Sequence, residues 1–325
     1  MASLEIRIQT TDVCDVSADV LVLKYAQRFY GADAAVANRL EDAGGGPLAV
    51  HPPVGNYAVV DARGQLATAK VLFVGVRMLP YFDYEGIREF ARLGLEFAAR
   101  EFPTAEHIAM TVHGVSYGLD EQESFLAQVA GLYDAAPRVP GIRRVTIAEC
   151  RPARARRLAA ILDRLVREQS DSTADSSGST LETPTQIEAG AASLAKAHVF
   201  VAMPFSSEFE DTYVFGIQGP VNTAGFLCER IDMAVFTGDI LNRIKERIET
   251  AALVIADLTG ANANVYLEVG YAWGRNRPTL LLMRKGEQMK FDVQGQRCIM
   301  YENIVDLSKK LTQDLEKFVQ SQGKP

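Results

Sequence analysis

Short apolar runs alternate along the chain with longer segments in which apolar residues recur every three or four positions. In the first half, runs typical of strands are LEIRIQ, ADVLVLKY, NYAVVDA, KVLFVGV, HIAMTVHG and RRVTIAEC. The segments between them with helical spacing are GADAAVANRLEDAGG, YEGIREFARLGLEFAAREF, LDEQESFLAQVAGLYDAA and PARARRLAAILDRLV. Strands that alternate with helices predict largely parallel sheets with helices on both faces.

The second half repeats this alternation. AHVFVAMPF, AALVIADL and PTLLLMRK predict buried strands, and IQGPVNTAGF, DILNRIKERIET and NVYLEVGYAWGRN lie between them. Ile240, Ile244 and Ile248 recur every four residues, which predicts one buried helix stripe.

Residues 169–190 separate the two halves. This stretch is rich in Ser, Thr, Asp and Glu and nearly free of large apolar side chains. It cannot bury enough surface to offset the entropy lost on ordering, so it predicts a flexible linker. The fold class expected is α/β, with two three-layer αβα domains at residues 1–168 and 191–325.

Composition narrows the classes of function. The net charge of −7 argues against a general nucleic-acid surface. No apolar run approaches the roughly 20 residues of a membrane span, and no leader peptide is visible, which favours the cytoplasm. The cysteines form no CxxC pair, so we expect no metal site and a reducing compartment; they are Cys14, Cys150, Cys228 and Cys298.

Ligands of open α/β sheets bind beyond the carboxyl ends of the strands. Three loops of the second half should meet at such an edge, namely MPFSSEF at 203–209, TGANANV at 259–265 and RKGEQMKFDVQGQR at 284–297. The site of interest is therefore expected where these loops converge.

Glu268 follows the second loop and is set among apolar and aromatic residues. Asn262 or Asn264 can cap the helix that starts there. A capping box would need an acid three residues after the cap, where Val265 or Leu267 stands instead. Two interpretations remain: an acid near the positive end of the helix, worth about 0.3–1 kcal/mol, or a functional carboxylate.

AHVFVAMPF, DILNRIKERI, ADLTGANANVYLEVGYA, RPTLLLM and FDVQGQRCIMY together resemble the nucleoside 2-deoxyribosyltransferase-like superfamily, which is related to NAD-cleaving TIR domains. The resemblance implies a flavodoxin/TIR-like parallel sheet. It implies that Glu268 is the nucleophile or ion-pair partner at the sugar C1′ and that Asp239 contacts the nucleoside. It also places Met203, Pro204 and Phe205 around the sugar and base.

The resemblance also directs attention to the loop before Glu268. The transferases keep an acid about six residues before the nucleophile to handle the base proton, and Asn262 stands there in this chain. Asn262, Asn264 and Asp257 are candidate substrate-binding residues, although Asp257 could equally cap the turn after its strand. Nicotinamide leaves NAD as a neutral molecule and needs no acid, so the substitution favours NAD glycohydrolysis.

Two other functions stay open. One is a transferase or hydrolase of nucleosides or nucleotides, and the other is a binding module that turns nothing over. NAD is expected as substrate rather than cofactor, and no cofactor is expected.

Outside the signature, some residues have two interpretations. Arg230 and Asp232 are expected to form a surface ion pair, with contact to a phosphate and ribose as the alternative. Tyr266, Tyr271 and Trp273 are expected to pack against the core rather than to stack on a base.

TTDVCDVSADVLVLKYA, FYGADAAVANRLEDAGG and TVHGVSYGLDEQESF resemble a divergent macro domain, or the macro-like domain of leucine aminopeptidases. The resemblance implies a diphosphate-wrapping loop at Gly114, Ser116, Tyr117 and Gly118; a plain strand-to-helix turn is the alternative. We expect this half to sense a nucleotide activator or to mediate assembly. The pairing suggests a bacterial defence or stress effector that acts as a homo-oligomer.

Overall fold

The structure is a computed structural model that describes residues 4–44, 48–115, 117–174, 187–231, 240–290 and 293–322. The chain divides into two compact units. The first consists of Met1–Val115 and Glu121–Leu194, and the second of Ser116–Asp120 and Ala195–Pro325.

The first unit is built on a six-stranded sheet in the order β1-β6-β5-β2-β4-β3. Only β3 among these strands runs antiparallel to its neighbour. Every residue of β2 is buried, as expected for a central strand covered on both faces. The strands are β1 (Glu5–Thr10), β2 (Val20–Tyr25), β3 (Tyr57–Asp61), β4 (Lys70–Gly75), β5 (His107–Thr111) and β6 (Arg144–Glu149).

Helices cover both faces of this sheet. Leu21 and Leu23 of β2 pack with apolar residues of α1 (Gly31–Gly44). Val22 points to the other face of the sheet, toward the helix α2 (Tyr84–Glu101). A Cβ added to Gly94 of this helix would lie 2.7 Å from the Cγ1 atom of Val22. A glycine is therefore needed for α2 to approach the sheet this closely. The other helices of the unit are α3 (Glu121–Ala135) and α4 (Pro152–Ala174).

The described residues at both ends of the segment expected to be a linker are structured. The helix α4 continues through Ala174, and residues 187–190 pack against α2. Arg88 Nη1 donates hydrogen bonds of 2.7 and 3.0 Å to the carbonyl oxygens of Ile187 and Ala189. These contacts are invisible to composition because they use backbone acceptors rather than apolar side chains.

The second unit has a five-stranded sheet that is parallel throughout the described strands, in the order β11-β10-β9-β7-β8. Counted within the unit, this is the 2-1-3-4-5 order of flavodoxin-like sheets. The order reverses between β7 and β9, so the ligand crevice of such a sheet lies beyond the ends of these strands. The strands are β7 (His198–Ala202), β8 (Leu227–Glu229), β9 (Leu253–Asp257), β10 (Thr279–Arg284) and β11 (Cys298–Tyr301).

Two helical layers enclose this sheet. Val201 and Ile255 face α5 (Ser207–Asp211), the π-helical turn Thr212–Gln218, α6 (Gly219–Thr223) and α9 (Ile304–Gln322). Phe200 and Ala256 face α7 (Ile240–Thr250) and α8 (Ala263–Gly274). The predicted architecture of two three-layer αβα domains is thus confirmed. Within the residues described, no helix combines the length and apolarity needed to cross a bilayer.

Candidate functional site

Glu268 lies in the second turn of α8 rather than at its start. The helix begins at Ala263, and its N-cap is Asn262, whose Oδ1 accepts a 2.9 Å hydrogen bond from the Asn264 N–H. The first turn of α8 holds no acidic residue. Because the helix dipole acts mainly on the terminal turn, attraction to the positive helix end does not account for Glu268.

Glu268 lines a cavity of about 270 Å³ between α7 and α8. Helical spacing explains its walls, since Val265, Val269 and Ala272 pack against the sheet and leave Glu268 on the flank that faces α7. Most of the lining is aliphatic. The cavity is lined by Leu241, Ile244 and Ile248 of α7 and Leu267 of α8, together with Asn264, Lys245 and Tyr271.

Burial raises the pKa of Glu268 from 4.5 to about 7. The cause is loss of hydration beside aliphatic side chains. In the part of the chain that the structure describes, no ion pair or hydrogen bond to the Glu268 carboxyl opposes this shift. The group is therefore close to half ionised at neutral pH, as is useful for a catalytic acid or base.

Tyr271 forms a fixed wall of the same cavity one turn beyond Glu268. Its hydroxyl donates a hydrogen bond to Glu249 and accepts one of 3.2 Å from Arg275 Nε. Arg275 also pairs with Glu249 at 2.9 Å. The ring therefore combines the expected packing role with a position beside the candidate carboxylate.

Asp257, a candidate substrate-binding residue, is fully buried at the end of β9. Its Oδ2 accepts a 2.8 Å hydrogen bond from the Tyr301 hydroxyl, and its Oδ1 accepts one of 3.0 Å from the Thr259 N–H. Burial raises the pKa of Asp257, and these hydrogen bonds oppose the rise. Thr259 Oγ1 in turn accepts a 3.0 Å hydrogen bond from the Arg284 N–H. Asp257 thus ties three strand ends together and corresponds to the turn-capping interpretation.

Asp257 and Glu268 lie on opposite sides of the sheet. Ala256 packs toward α7 and α8, so its neighbour Asp257 points to the other face, where Tyr301 belongs to the core. The structure therefore does not bring these two carboxylates into one dyad.

The loop after β7 exposes one of its three candidate residues. Met203 is buried in the core beneath α5 and α9, Pro204 is half-buried, and Phe205 is exposed. Asn264 lines the Glu268 cavity, whereas the side-chain oxygen of Asn262 is used as a helix cap. Asp239 and Ser116 lie outside the described residues.

The glycine loop predicted to wrap a diphosphate makes contacts within the second unit. Tyr117 forms an antiparallel bridge with Ile231, and Asp120 accepts a 3.0 Å hydrogen bond from the Cys228 N–H. A Cβ added at Gly118, where φ is +96°, would lie 2.6 Å from Ile231 Cγ1. Residues 117–120 thus pack as part of the second unit, and diphosphate binding by this loop stays a prediction. Gly114 also has a positive φ of +88°, a conformation that glycine adopts both in tight turns and where backbone approaches a ligand.

Two features of the site were not predicted from the sequence. Leu241 and Lys245 line the Glu268 cavity from α7, and Arg230 is 8% exposed rather than a surface residue. The spacing of Leu241, Ile244 and Ile248 by three and four residues would have indicated the cavity wall. No grouping of three or more His, Cys, Asp or Glu side chains suited to a metal occurs among the described residues.

Comparisons with known proteins give distant structural similarities only. No family model and no curated sequence matches the chain. A macrodomain of Oceanobacillus iheyensis with ADP is similar at 15% identity and a TM-score of 0.39, covering 50% of this chain and 91% of that one. A Trypanosoma brucei macrodomain in complex with ADP is similar at 14% identity and a TM-score of 0.39, and the match covers 49% of this chain and 69% of that one. A CMP N-glycosidase of Clostridium botulinum is similar at 18% identity and a TM-score of 0.30, and the match covers 35% of this chain and 98% of that one.

Proposed function

We propose that the second unit cleaves the N-glycosidic bond of a nucleotide, with NAD as the favoured substrate and Glu268 as the catalytic carboxylate. The observation that supports this most is the Glu268 carboxyl in an aliphatic cavity, with its pKa raised to about 7. A carboxylate in such surroundings acts strongly on positive charge that develops beside it, because little water screens the interaction.

Glycosidic cleavage develops that positive charge on the sugar. As the C1′–N bond breaks, the ribose acquires oxocarbenium character, and an ionised carboxylate stabilises it or attacks it. NAD already carries a positive nicotinamide ring, which lowers the pKa of a nearby carboxyl and favours its ionised form. The bonding electrons leave with nicotinamide, which departs neutral; water then forms the new C1′–O bond and gives up one proton to the solvent.

Asn262 supports a substrate of this kind. It stands where the transferases have their acid, and its side-chain oxygen caps α8. An amide cannot donate a proton to a departing base in the manner of a carboxylic acid. A leaving group that needs no proton therefore suits this residue.

A second candidate function follows from the same raised pKa. A carboxyl group with a pKa near 7 can also remain protonated and donate its proton to the base of an ordinary nucleoside or nucleotide. The two mechanisms require opposite ionisation states of Glu268. They predict opposite dependence of the rate on pH.

The wider biological setting remains part of the proposal. We propose that the first unit senses a nucleotide activator or mediates assembly, and that the protein acts as a homo-oligomeric effector in bacterial defence or stress. A module that binds nucleotides without turnover is the competing account, and product formation distinguishes the two.

The test is a substrate panel analysed by chromatography. NAD, deoxynucleosides and nucleoside monophosphates are incubated with the wild type and with Glu268→Gln, at low and high protein concentration, with and without cyclic and ADP-ribose-type nucleotides. Nicotinamide release by the wild type alone supports the proposal. Base release with NAD intact supports the second candidate, and absence of product under every condition supports the binding module.

A further inference from the structure

Arg230 follows β8 directly, at the edge of the sheet where ligands of parallel sheets bind. The sequence predicts that Arg230 and Asp232 form a surface ion pair, and Asp232 lies outside the described residues. The structure instead leaves only 8% of Arg230 exposed. An arginine buried to this degree needs partners that replace its hydration.

Two aromatic rings supply part of that replacement. The Arg230 Cζ atom lies 4.0 Å from the ring centroid of Phe205 and 3.9 Å from that of Tyr213. These distances are well within the range of cation–π attraction. Phe205 belongs to the loop after β7 and is 40% exposed, so it contacts the guanidinium and still reaches solvent.

Hydrogen bonding of the guanidinium is incomplete. Arg230 Nη2 donates a 2.9 Å hydrogen bond to Glu210 Oε2, which fixes one side of the fork. Arg230 Nη1 is buried, and no described residue accepts a hydrogen bond from it. A buried donor without an acceptor is costly and rare in folded proteins, so it points to a group that is bound in function.

We propose that Arg230 Nη1 binds a phosphate oxygen of the substrate, which makes the second unit selective for nucleotides over nucleosides. The inference rests on the proposed function for the nature of the substrate. Guanidinium groups match phosphate oxygens in geometry and charge, and Glu210 and Tyr213 hold this one in place. The Phe205 ring, which lies over the guanidinium, is 40% exposed.

Equilibrium binding tests this subsite without requiring turnover. Calorimetry with AMP and with adenosine is carried out on the full chain carrying Glu268→Gln, and on the same chain with Arg230→Lys or Arg230→Met added. Arg230→Lys keeps the charge beside the rings and Glu210 but lacks the second N–H arm, so it serves as the variant most able to fold. Any site in the first unit remains in all three proteins, and the effect is measured on the binding component that the Arg230 variants change.

The proposal predicts that both variants weaken AMP binding at least about tenfold and leave adenosine binding unchanged within about twofold. Equal weakening of both ligands, unchanged AMP binding, or no binding of either ligand to the parent would overturn it. Thermal unfolding of each variant confirms that the folded state was measured. Because no product is measured, an inactive wild type would contradict the proposed function and not this subsite.

Discussion

The hydroxyl of Tyr301 donates a 2.8 Å hydrogen bond to the carboxylate of Asp257 and so joins the end of β11 to the end of β9. Removing the hydroxyl with Tyr301→Phe leaves a buried carboxylate oxygen without this donor. We expect a loss of about 1–3 kcal/mol in the free energy of unfolding, measured by urea denaturation. Catalytic parameters of the folded protein should change little, because Asp257 lies across the sheet from Glu268.

Tyr81→Phe is the matched control, since Tyr81 is 63% exposed. It should leave the urea midpoint unchanged. A Tyr301→Phe protein as stable as the wild type, but with a large loss of activity, would show that Asp257 and Tyr301 belong to the chemistry instead.

The pH dependence of kcat/KM should report the raised pKa of Glu268. If ionised Glu268 stabilises the sugar cation, the rate rises with pH and levels off above about 7. If protonated Glu268 is the general acid, the rate falls as pH rises through the same value. Initial rates between pH 5 and 9 distinguish the two, and a profile flat across this interval would contradict both.

The free energy of unfolding should also depend on pH because of the raised pKa of Glu268. The pKa of Glu268 is about 7 in the folded chain and near 4.5 when unfolded, so the unfolded chain releases its proton first as pH rises. This residue therefore lowers stability progressively between about pH 4.5 and 7. Glu268→Gln removes the effect and should be more stable than the wild type at pH 8 by about 1–3 kcal/mol, with a smaller difference at pH 5.

Glu316→Gln provides the comparison, because Glu316 is an exposed residue of α9. Its stability relative to the wild type should be the same at both pH values. The assignment of a desolvated carboxyl fails if the two variants respond to pH in the same way.

Gly118 tests the packing of the glycine loop against Ile231. Gly118→Ala combines a positive φ with a Cβ placed 2.6 Å from Ile231 Cγ1. Gly225→Ala has a similar φ of +88° and no atom within 4 Å of the added Cβ, so it reports backbone strain alone. We expect Gly118→Ala to be the less stable variant by at least about 1 kcal/mol in thermal unfolding. Equal stability would indicate that the packing of this loop against Ile231 does not hold in solution.

The elements that were predicted correctly are those with an uninterrupted pattern. All six strands of the first unit, together with β7, β9 and β10, coincide with apolar runs in the sequence. The strand β8 is harder to recognise because it is short and includes Glu229, a buried carboxylate that pairs with Arg247. The helix α9 was not predicted from the sequence, although leucines at 307, 311 and 315 recur every four residues and would have indicated it.

In the candidate site, too, some features can be recognised from the sequence and others cannot. The unusual setting of Glu268 is visible in the sequence, because capping cannot explain its position. The burial of Arg230 is not visible, because it depends on Phe205 and Tyr213, which reach it from other segments of the chain. Likewise, Lys24 is an apparent defect in the apolar run of β2 until Asp33 of α1 is found paired with it. Long-range contacts of this kind leave no periodic trace.

The most direct test of the central claim is release of nicotinamide from NAD by the wild type and by Glu268→Gln, measured by chromatography at a temperature at which both proteins are fully folded. Leu267→Ala, which alters an exposed neighbour on α8, controls for general disturbance of the cavity. The account predicts release by the wild type, reduced but measurable release by Leu267→Ala, and a loss of at least about a hundredfold in Glu268→Gln. Cleavage by Glu268→Gln at the wild-type rate would contradict it.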